Sequence, residues 1–315
     1  MNLDSMIFCL GSINADLTFG GIADMAAGGT IRTGQFHQRA GGMAANSAYF
    51  IHCLGVPVQL LGRVGDDHFG KIALNPLRKA GLPLDGVSIA EGEFTGVAVI
   101  AVAKDGNKTM LSASNANNSW PKEAVAAVVQ RIMLAPDGSM LVADFEVPRS
   151  VLEAAFDACE RRGFDIVVDP TFPEEMRKPD FSRLRAITPN AQEASALVGT
   201  QVSDEASARE AARVLNEWGV DIACLKLPEG GCIAAKGNEL FTIHAPKVEV
   251  VDKTGAGDAF VGALSIALLR GLPFGEAARW GVAASSISVK RSGAQESFPP
   301  AEEFNRMLEV VRAAA

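Results

Sequence analysis

Val250-Val-Asp-Lys-Thr-Gly-Ala-Gly-Asp-Ala-Phe260 is the stretch whose reading decides how this chain folds. It opens with two β-branched residues of strand character. It then crosses a turn in which Gly255 and Gly257 leave the backbone unshielded, and runs into the apolar helical stretch Ala259 to Leu269. Asp258 is thereby delivered to a helix N-terminus. The first turn of a helix presents unpaired N–H groups and a partial positive charge, and glycines let an anion approach them closely. A carboxylate held there beside a phosphate can take the proton from an attacking hydroxyl, while those N–H groups stabilise the charge on the transferred group. The combination reads as phosphoryl transfer to an alcohol. An Asp at a helix start is also an ordinary cap, and Gly-x-Gly an ordinary turn, so the reading depends on the rest of the chain.

Outward from that stretch, short β-type runs alternate with helical ones. They are Ile7 to Leu10, Ala44 to Leu54, Gln59 to Val64, Lys71 to Ala80, Met140 to Ala143, Val151 to Arg162, Ile166 to Asp169, Ala206 to Trp218 and Ile222 to Leu227, then helices after Asp258 and Phe274. Such alternation predicts an α/β fold, a mainly parallel central sheet with helices on both faces. Ligands in such sheets sit at the carboxyl ends of the strands. Two stretches interrupt the pattern, residues 17–38 and 94–111. The second has hairpin form around the pair Asp105-Gly106, a strong turn signal. Both are read as strands of one small extra β-sheet that closes over the site or pairs with a second subunit, within a single domain spanning 1–315, with an ordinary edge hairpin on the main sheet as the alternative.

Composition narrows the function. A chain of 315 residues with 48% hydrophobic and 21% charged residues is globular. Its net charge of −8 argues against a nucleic-acid surface, which needs a basic stripe. Five scattered cysteines without a Cys-x-x-Cys pair suggest reduced thiols and no zinc site. The apolar run Ile7 to Leu10 is too short for a signal-peptide core or a membrane span, so a soluble cytoplasmic protein is expected.

Several other motifs have polar residues just beyond strands. Gly65-Asp-Asp-His-Phe-Gly-Lys-Ile72 imitates a P-loop. It lacks the hydroxyl that magnesium needs at Ile72, and Asp66 and Asp67 would repel phosphate, so it is read as a structural turn. Asn14 and Asp16 point to one side of an extended chain and suit neighbouring sugar hydroxyls, although an Asx-turn fits them as well. Gly41-Gly42 brings backbone close before Asn46, and Glu146 follows the run Met140 to Phe145. Asn190 and Glu193 share one face if a helix begins there, which also describes a plain capped start.

Taken together and in this order, these segments resemble the ribokinase-like (PfkB) family of carbohydrate kinases, nearest its ribokinase branch. The resemblance rests on Gly11 to Asp16, Gly41 to Asn46, Gly62 to Asp67 with Phe69-Gly70, Glu146, Thr188 to Asn190 with Glu193, Asp252 to Phe260, and Val289 to Gln295. It implies an α/β domain with a β-sheet lid, commonly dimeric through the lids. It also implies transfer of the γ-phosphoryl of ATP, with magnesium, to a sugar hydroxymethyl group. Asp258 would be the base and Gly255, Ala256 and Gly257 the anion hole. Asn14, Asp16, Gly42, Met43, Asn46 and Glu146 match sugar positions, and Asn190, Lys226 and Gly231 match nucleotide positions. Glu193 would act on magnesium through water. Asp252, Thr254, Ser288, Arg291, Gly293 and Ser297 match the shell of a monovalent cation, usually potassium, several of them through backbone oxygen. Met43 stands where the ribokinase branch usually has lysine, and Pro228 where a glycine is usual, so acceptor and nucleotide preference are left open. The leading expectation is a kinase of ribose or a similar small sugar. Its alternatives are a nucleoside kinase of the same fold and a sugar-binding regulator that has lost catalysis. A dinucleotide-dependent oxidoreductase is disfavoured, because Gly-x-Gly-x-x-Gly does not follow the opening strand.

Overall fold

The computed structural model describes residues 5–22, 30–104 and 108–314. The Asp105-Gly106 turn lies outside the described residues. The strands are β1 (Ile7–Leu10), β2 (Asn14–Ile22), β3 (Gln35–Gly41), β4 (Val58–Gly65), β5 (Val87–Ala90), β6 (Gly96–Ala103), β7 (Lys108–Ala113), β8 (Met140–Asp144), β9 (Asp165–Asp169), β10 (Ala186–Ile187), β11 (Ile222–Lys226), β12 (Cys232–Lys236) and β13 (Glu239–Ile243). The helices are α1 (Met43–Cys53), α2 (His68–Ala80), α3 (Lys122–Leu134), α4 (Arg149–Arg162), α5 (Lys178–Phe181), α6 (Ala191–Val198), α7 (Glu205–Glu217), α8 (Ala256–Leu269), α9 (Phe274–Ser288) and α10 (Ala301–Ala313).

The large sheet has the order β13-β12-β11-β10-β9-β8-β1-β4-β5, parallel from β11 through to β5 and antiparallel at the β12–β13 edge. Successive strand residues face opposite ways, and the sequence uses this to build two cores. Ile7 and Cys9 of β1, with Met140 and Val142 of β8, pack toward α1, α2, α8, α9 and α10. Phe8 and Leu10, with Leu141 and Ala143, pack toward α3, α4, α6 and α7. Both faces are covered, as continuous apolar strands require. The helix that carries Asp258 is apolar almost all round and buried accordingly, with Phe50 against Gly262 and Phe260 against Gly281. No helix among the described residues is long and apolar enough to cross a membrane.

A separate four-stranded sheet, β3-β2-β6-β7, stands beside the large one. Its strands reach further toward the core than the sequence suggested. β2 begins at Asn14 and β3 ends at Gly41, and these two residues are register partners. Asn14 and Asp16 are therefore strand residues at the root of the small sheet, not members of a turn. The β12–β13 hairpin and β5 went unread in the sequence. β12 (Cys-Ile-Ala-Ala-Lys) and the four-residue β5 carry little strand signal, whereas the Leu-Phe-Thr-Ile run of β13 was a signal passed over.

The strand-to-helix turn at Gly65 to Ile72 is structural. Asp67 caps α2 through Gly70 N (2.9 Å) and accepts from Thr95 Oγ1 (2.6 Å) and Thr95 N (3.2 Å), so its carboxylate is fully engaged.

Candidate active site

Strand order reverses at β1, which lies between β4 and β8, and crevices open beyond the carboxyl ends at such a point. Asn14 follows β1, Glu146 follows β8, Asp169 ends β9, Asn190 follows β10 and Lys226 ends β11, so one rim collects them. The start of α8 closes the rim. Gly255, its N-cap, has φ 78°, and a side chain there would strike Ala294 Cα at 2.8 Å, so only glycine serves.

Asp258 lies in the first turn of α8 and is buried. Its Oδ2 accepts from Asn46 Nδ2 at 2.7 Å. Burial raises its pKa to about 7, aided by the charges of Asp169 and Glu146 and opposed by the Asn46 hydrogen bond and Lys226. A carboxylate tuned there suits proton abstraction near neutrality. First-turn amides have no partner within their helix. Of the amides of Gly255, Ala256 and Gly257, that of Ala256 leans on Lys253 O at 3.3 Å.

On one side of Asp258 sits a polar cluster. Asn14 donates to Glu146 Oε2 (3.3 Å) and accepts from Asn117 Nδ2 (2.7 Å), whose Oδ1 takes the Ile13 N–H (3.1 Å). Burial, with Glu146 and Glu296 nearby, pushes the Asp16 carboxyl up to about 7 against the pull of Arg39. Any side chain at Gly41 would meet that carboxylate at 2.3 Å. Gly42 has φ 95° and leads into α1, where Met43 N donates to Ser12 Oγ at 2.9 Å and Met43 Sδ contacts Thr171 Oγ1. Asn46 is backed by Gln295, whose Nε2 donates to its Oδ1 at 3.1 Å. Asp144 fixes this whole corner by accepting from Ser12 N, Ala44 N and Glu146 N at 2.9 to 3.1 Å.

On the other side, Lys226 Nζ donates to Asp169 Oδ2 at 2.7 Å. A side chain grown from Gly257 would come within 3.3 Å of that ammonium, so Lys226 faces the glycine turn. Asn190 and Glu193 form a reciprocal capping box at the start of α6, with Glu193 N to Asn190 Oδ1 at 2.9 Å and Asn190 N to Glu193 Oε2 at 2.7 Å. Burial and the Asp169 charge push Glu193 up to about 7, opposed by Lys226. Beyond Lys226 opens a cavity of about 600 Å³, lined by Leu227, Pro228, Val248, Phe260 and Val289. Gly231 belongs to the same loop, where its carbonyl accepts from Leu227 N at 3.0 Å. Ser286 Oγ lies buried at this cavity without a protein partner.

The third group surrounds Asp252. Its Oδ1 accepts from Thr254 N (3.0 Å), Thr254 Oγ1 (2.7 Å) and Lys108 Nζ (2.7 Å), and its Oδ2 from Gly293 N (3.0 Å). Burial opposes ionisation, but these hydrogen bonds outweigh it and hold the carboxyl well below the usual range. Ser288 and Ser297 turn their hydroxyls onto Ser285 O and Ala294 O, and Arg291 is clamped by both oxygens of Glu303 at 2.7 Å. Arg291 also reaches Ser297 O at 3.4 Å.

The sequence reading did not single out Asp169, Asp144, Asn117 or Lys108. Asp169 and Asp144 each end a strand that was read, and that position was the available signal. Asn117 and Lys108 gave none, since their partners lie 103 to 146 residues away.

This fold, with a buried carboxylate at a glycine-turned helix start between a polar cluster and an apolar cavity, defines a small-molecule kinase. Residues 4–301 match the model of the pfkB family carbohydrate kinases, and the chain belongs to that family. It is 33% identical to a ribokinase of Haemophilus influenzae, across 95% of this chain and 97% of the relative. A ribokinase of Schizosaccharomyces pombe is 31% identical, across 93% and 94%. Among solved structures, that of Arabidopsis thaliana ribokinase complexed with ribose and ATP superposes with a TM-score of 0.86. It is 27% identical and covers 97% of this chain and 99% of that one.

Proposed function

We propose that the protein transfers the γ-phosphoryl group of ATP to the hydroxymethyl oxygen of ribose. The observation that carries this is Asp258, buried at the start of α8, with a pKa of about 7 and its carboxylate steered by Asn46. The likeness to ribokinases over nearly the whole chain supports ribose as acceptor and ATP as donor.

Ribose lies against Asn14, Asp16, Gly42, Asn46 and Glu146, with Met43 at the edge. Amide and carboxylate groups there alternate donors and acceptors to match vicinal hydroxyls. The Asp258 carboxylate takes the hydroxymethyl proton as the oxygen attacks the γ-phosphorus. The bond to the β–γ bridging oxygen breaks and ADP leaves with its electron pair. Negative charge on the moving group is met by the amides of Gly255, Ala256 and Gly257 and by the Lys226 ammonium. The purine fits the apolar cavity beyond Pro228, with Asn190 and Gly231 on the phosphate side.

Magnesium fits the carboxylates here. Asp169 Oδ1 is buried without a protein partner and Glu193 stands beside it, which suits an ion held by one or two carboxylates, water and phosphate oxygens. Bound there, magnesium would neutralise charge between the β- and γ-phosphates. The same reading puts one positive charge against Asp252. Of its two sources, potassium from solution and the Lys108 ammonium, the second already bridges Asp252 Oδ1 and Thr254 Oγ1.

The small sheet serves as a lid, its strands drawn from 17–38 and 94–111 and their flanks, within one kinase domain of residues 1–315. By strand alternation its face away from the site carries Leu17, Phe19, Phe36, Val99 and Leu111, an apolar surface suited to a second copy of this chain. Free cysteines, four of them buried, agree with a reducing cytoplasm. The test is ADP release with ATP and magnesium over ribose, deoxyribose, fructose and adenosine. Ribose should give the highest kcat/KM. A higher value with adenosine would transfer the assignment to a nucleoside, and no ADP release with any acceptor would end the kinase reading.

A further inference from the structure

One contact joins the lid to the turn proposed as the anion hole. Lys108 is the first residue of β7, the outer strand of the small sheet, where it is the register partner of Val102. Its ammonium crosses to a segment 144 residues away and binds Asp252 Oδ1 at 2.7 Å and Thr254 Oγ1 at 2.9 Å. Thr254 directly precedes Gly255, so these bonds pin the residue from which the anion-hole turn departs. All of β7, Lys108 included, is exposed, and the Lys108 ammonium is the group that it sends across to the turn.

The shell that the family resemblance assigns to a monovalent cation does not fit a free ion here. Its single carboxylate, Asp252, accepts three hydrogen bonds on Oδ1 and one on Oδ2, and its charge is already matched by an ammonium. Of the shell's other oxygens, Ser288 O accepts from Arg291 N at 3.3 Å, Ser297 O from Arg291 Nη1 at 3.4 Å, and the Ser297 hydroxyl is turned onto Ala294 O. A second cation would stand against the Lys108 ammonium and compete with it for the same Asp252 oxygen.

The geometry points to Lys108 as the built-in cation of this site: its ammonium orders the Asp252-Lys-Thr-Gly255 turn in place of potassium, so that the anion hole is set when the lid is down. Lys108 is a positioning residue, acting through Asp252 and Thr254 on the amides that meet the transferred phosphoryl group. A free potassium ion orders such a turn at any lid position, whereas a lysine on the lid orders it only on closure. Coupling the two would limit transfer of the phosphoryl group to water while the site is open.

The inference rests on the phosphoryl-transfer reading, and its test separates the two. Wild type, Lys108→Ala and Lys108→Arg are assayed for ADP release with ribose in sodium, potassium and ammonium salts at constant ionic strength. Thermal unfolding is followed in the same buffers. Wild type should be indifferent to the salt. Lys108→Ala should lose about tenfold in kcat in sodium, the scale of one charged hydrogen bond, with a smaller change in KM for ribose, and should recover in potassium or ammonium. Lys108→Arg should keep most activity in sodium. A potassium-specific rise in Tm should appear in Lys108→Ala alone, a readout that needs no turnover. The inference is overturned if wild type is itself activated or thermally stabilised by potassium. It is also overturned if Lys108→Ala is unchanged in every salt, or loses activity that neither cation restores. Absence of ribose turnover by wild type in all salts would instead count against the proposed function, with the Tm comparison still deciding the cation's source.

Discussion

Asn46 Nδ2 lies 2.7 Å from Asp258 Oδ2, a hydrogen bond spanning 212 residues that joins the first turn of α1 to the first turn of α8. Gln295 buttresses Asn46 from behind. The two helix starts therefore converge on one carboxylate, and the bond leaves its other oxygen to a substrate proton. Two glycine turns, at Gly42 and Gly255, make the convergence sterically possible.

Replacing Asp258 by Asn removes the base and keeps the shape. We expect kcat to fall by about 100- to 10,000-fold, with ribose affinity changed little. ADP-release rates and calorimetric titration with ribose check the two halves.

The pH dependence has a defined sign. Asp258 must be ionised to accept a proton, and its pKa is raised to about 7, so kcat/KM should fall below about pH 7 and level off above it. Asn46→Ala removes a bond that favours the ionised form, so the midpoint should move upward. A pH–rate profile of both proteins reads this directly.

Stability should run the opposite way. A carboxyl raised from 3.8 to about 7 on folding binds more protons in the native state across that interval. Its contribution is therefore most favourable below about pH 4 and is lost as pH rises through about 7. Asp258→Asn should accordingly melt at a higher temperature than wild type at pH 8, and the gap should close toward pH 4. Thermal scans across that range measure it.

The Lys226 ammonium faces Asp169, Glu193 and the glycine turn. Lys226→Met should raise the KM for ATP more than that for ribose. It should also destabilise the fold by about 3–5 kcal/mol, because Asp169 is left buried and unpaired. Adding Asp169→Asn should restore much of the stability and none of the ATP affinity. Denaturant melts and ATP titrations of the single and double variants test both statements.

The sequence disclosed the parts of this molecule that depend on local pattern. Parallel strands buried on both faces read as continuous apolar runs, and the glycine turn before α8 marks its own helix start, so the large sheet and Asp258 were legible. Asn14 and Asp16 were legible as a pair, although their place on a strand of the small sheet was not, because pairing with Gly41 and Arg39 is a tertiary fact. Asn117 and Lys108 were silent for the same reason, and Asp169 carried only the weak signal of a strand end. An acid at a strand end, an amide in a 3-10 turn and a lysine on an edge strand are all ordinary until a distant partner meets them. Glu193 was chosen for a helical spacing, and its capping bond with Asn190 accounts for that spacing independently of any metal.

The most direct test of the central claim is the position of the new phosphate. Wild-type protein is incubated with ribose, ATP and magnesium, and the product is read by correlated phosphorus and proton NMR. The account requires phosphorus coupled to the hydroxymethyl protons of ribose, with the signal abolished in Asp258→Asn. Phosphorus on the anomeric carbon, free phosphate without a sugar ester, or a full signal from Asp258→Asn would contradict it.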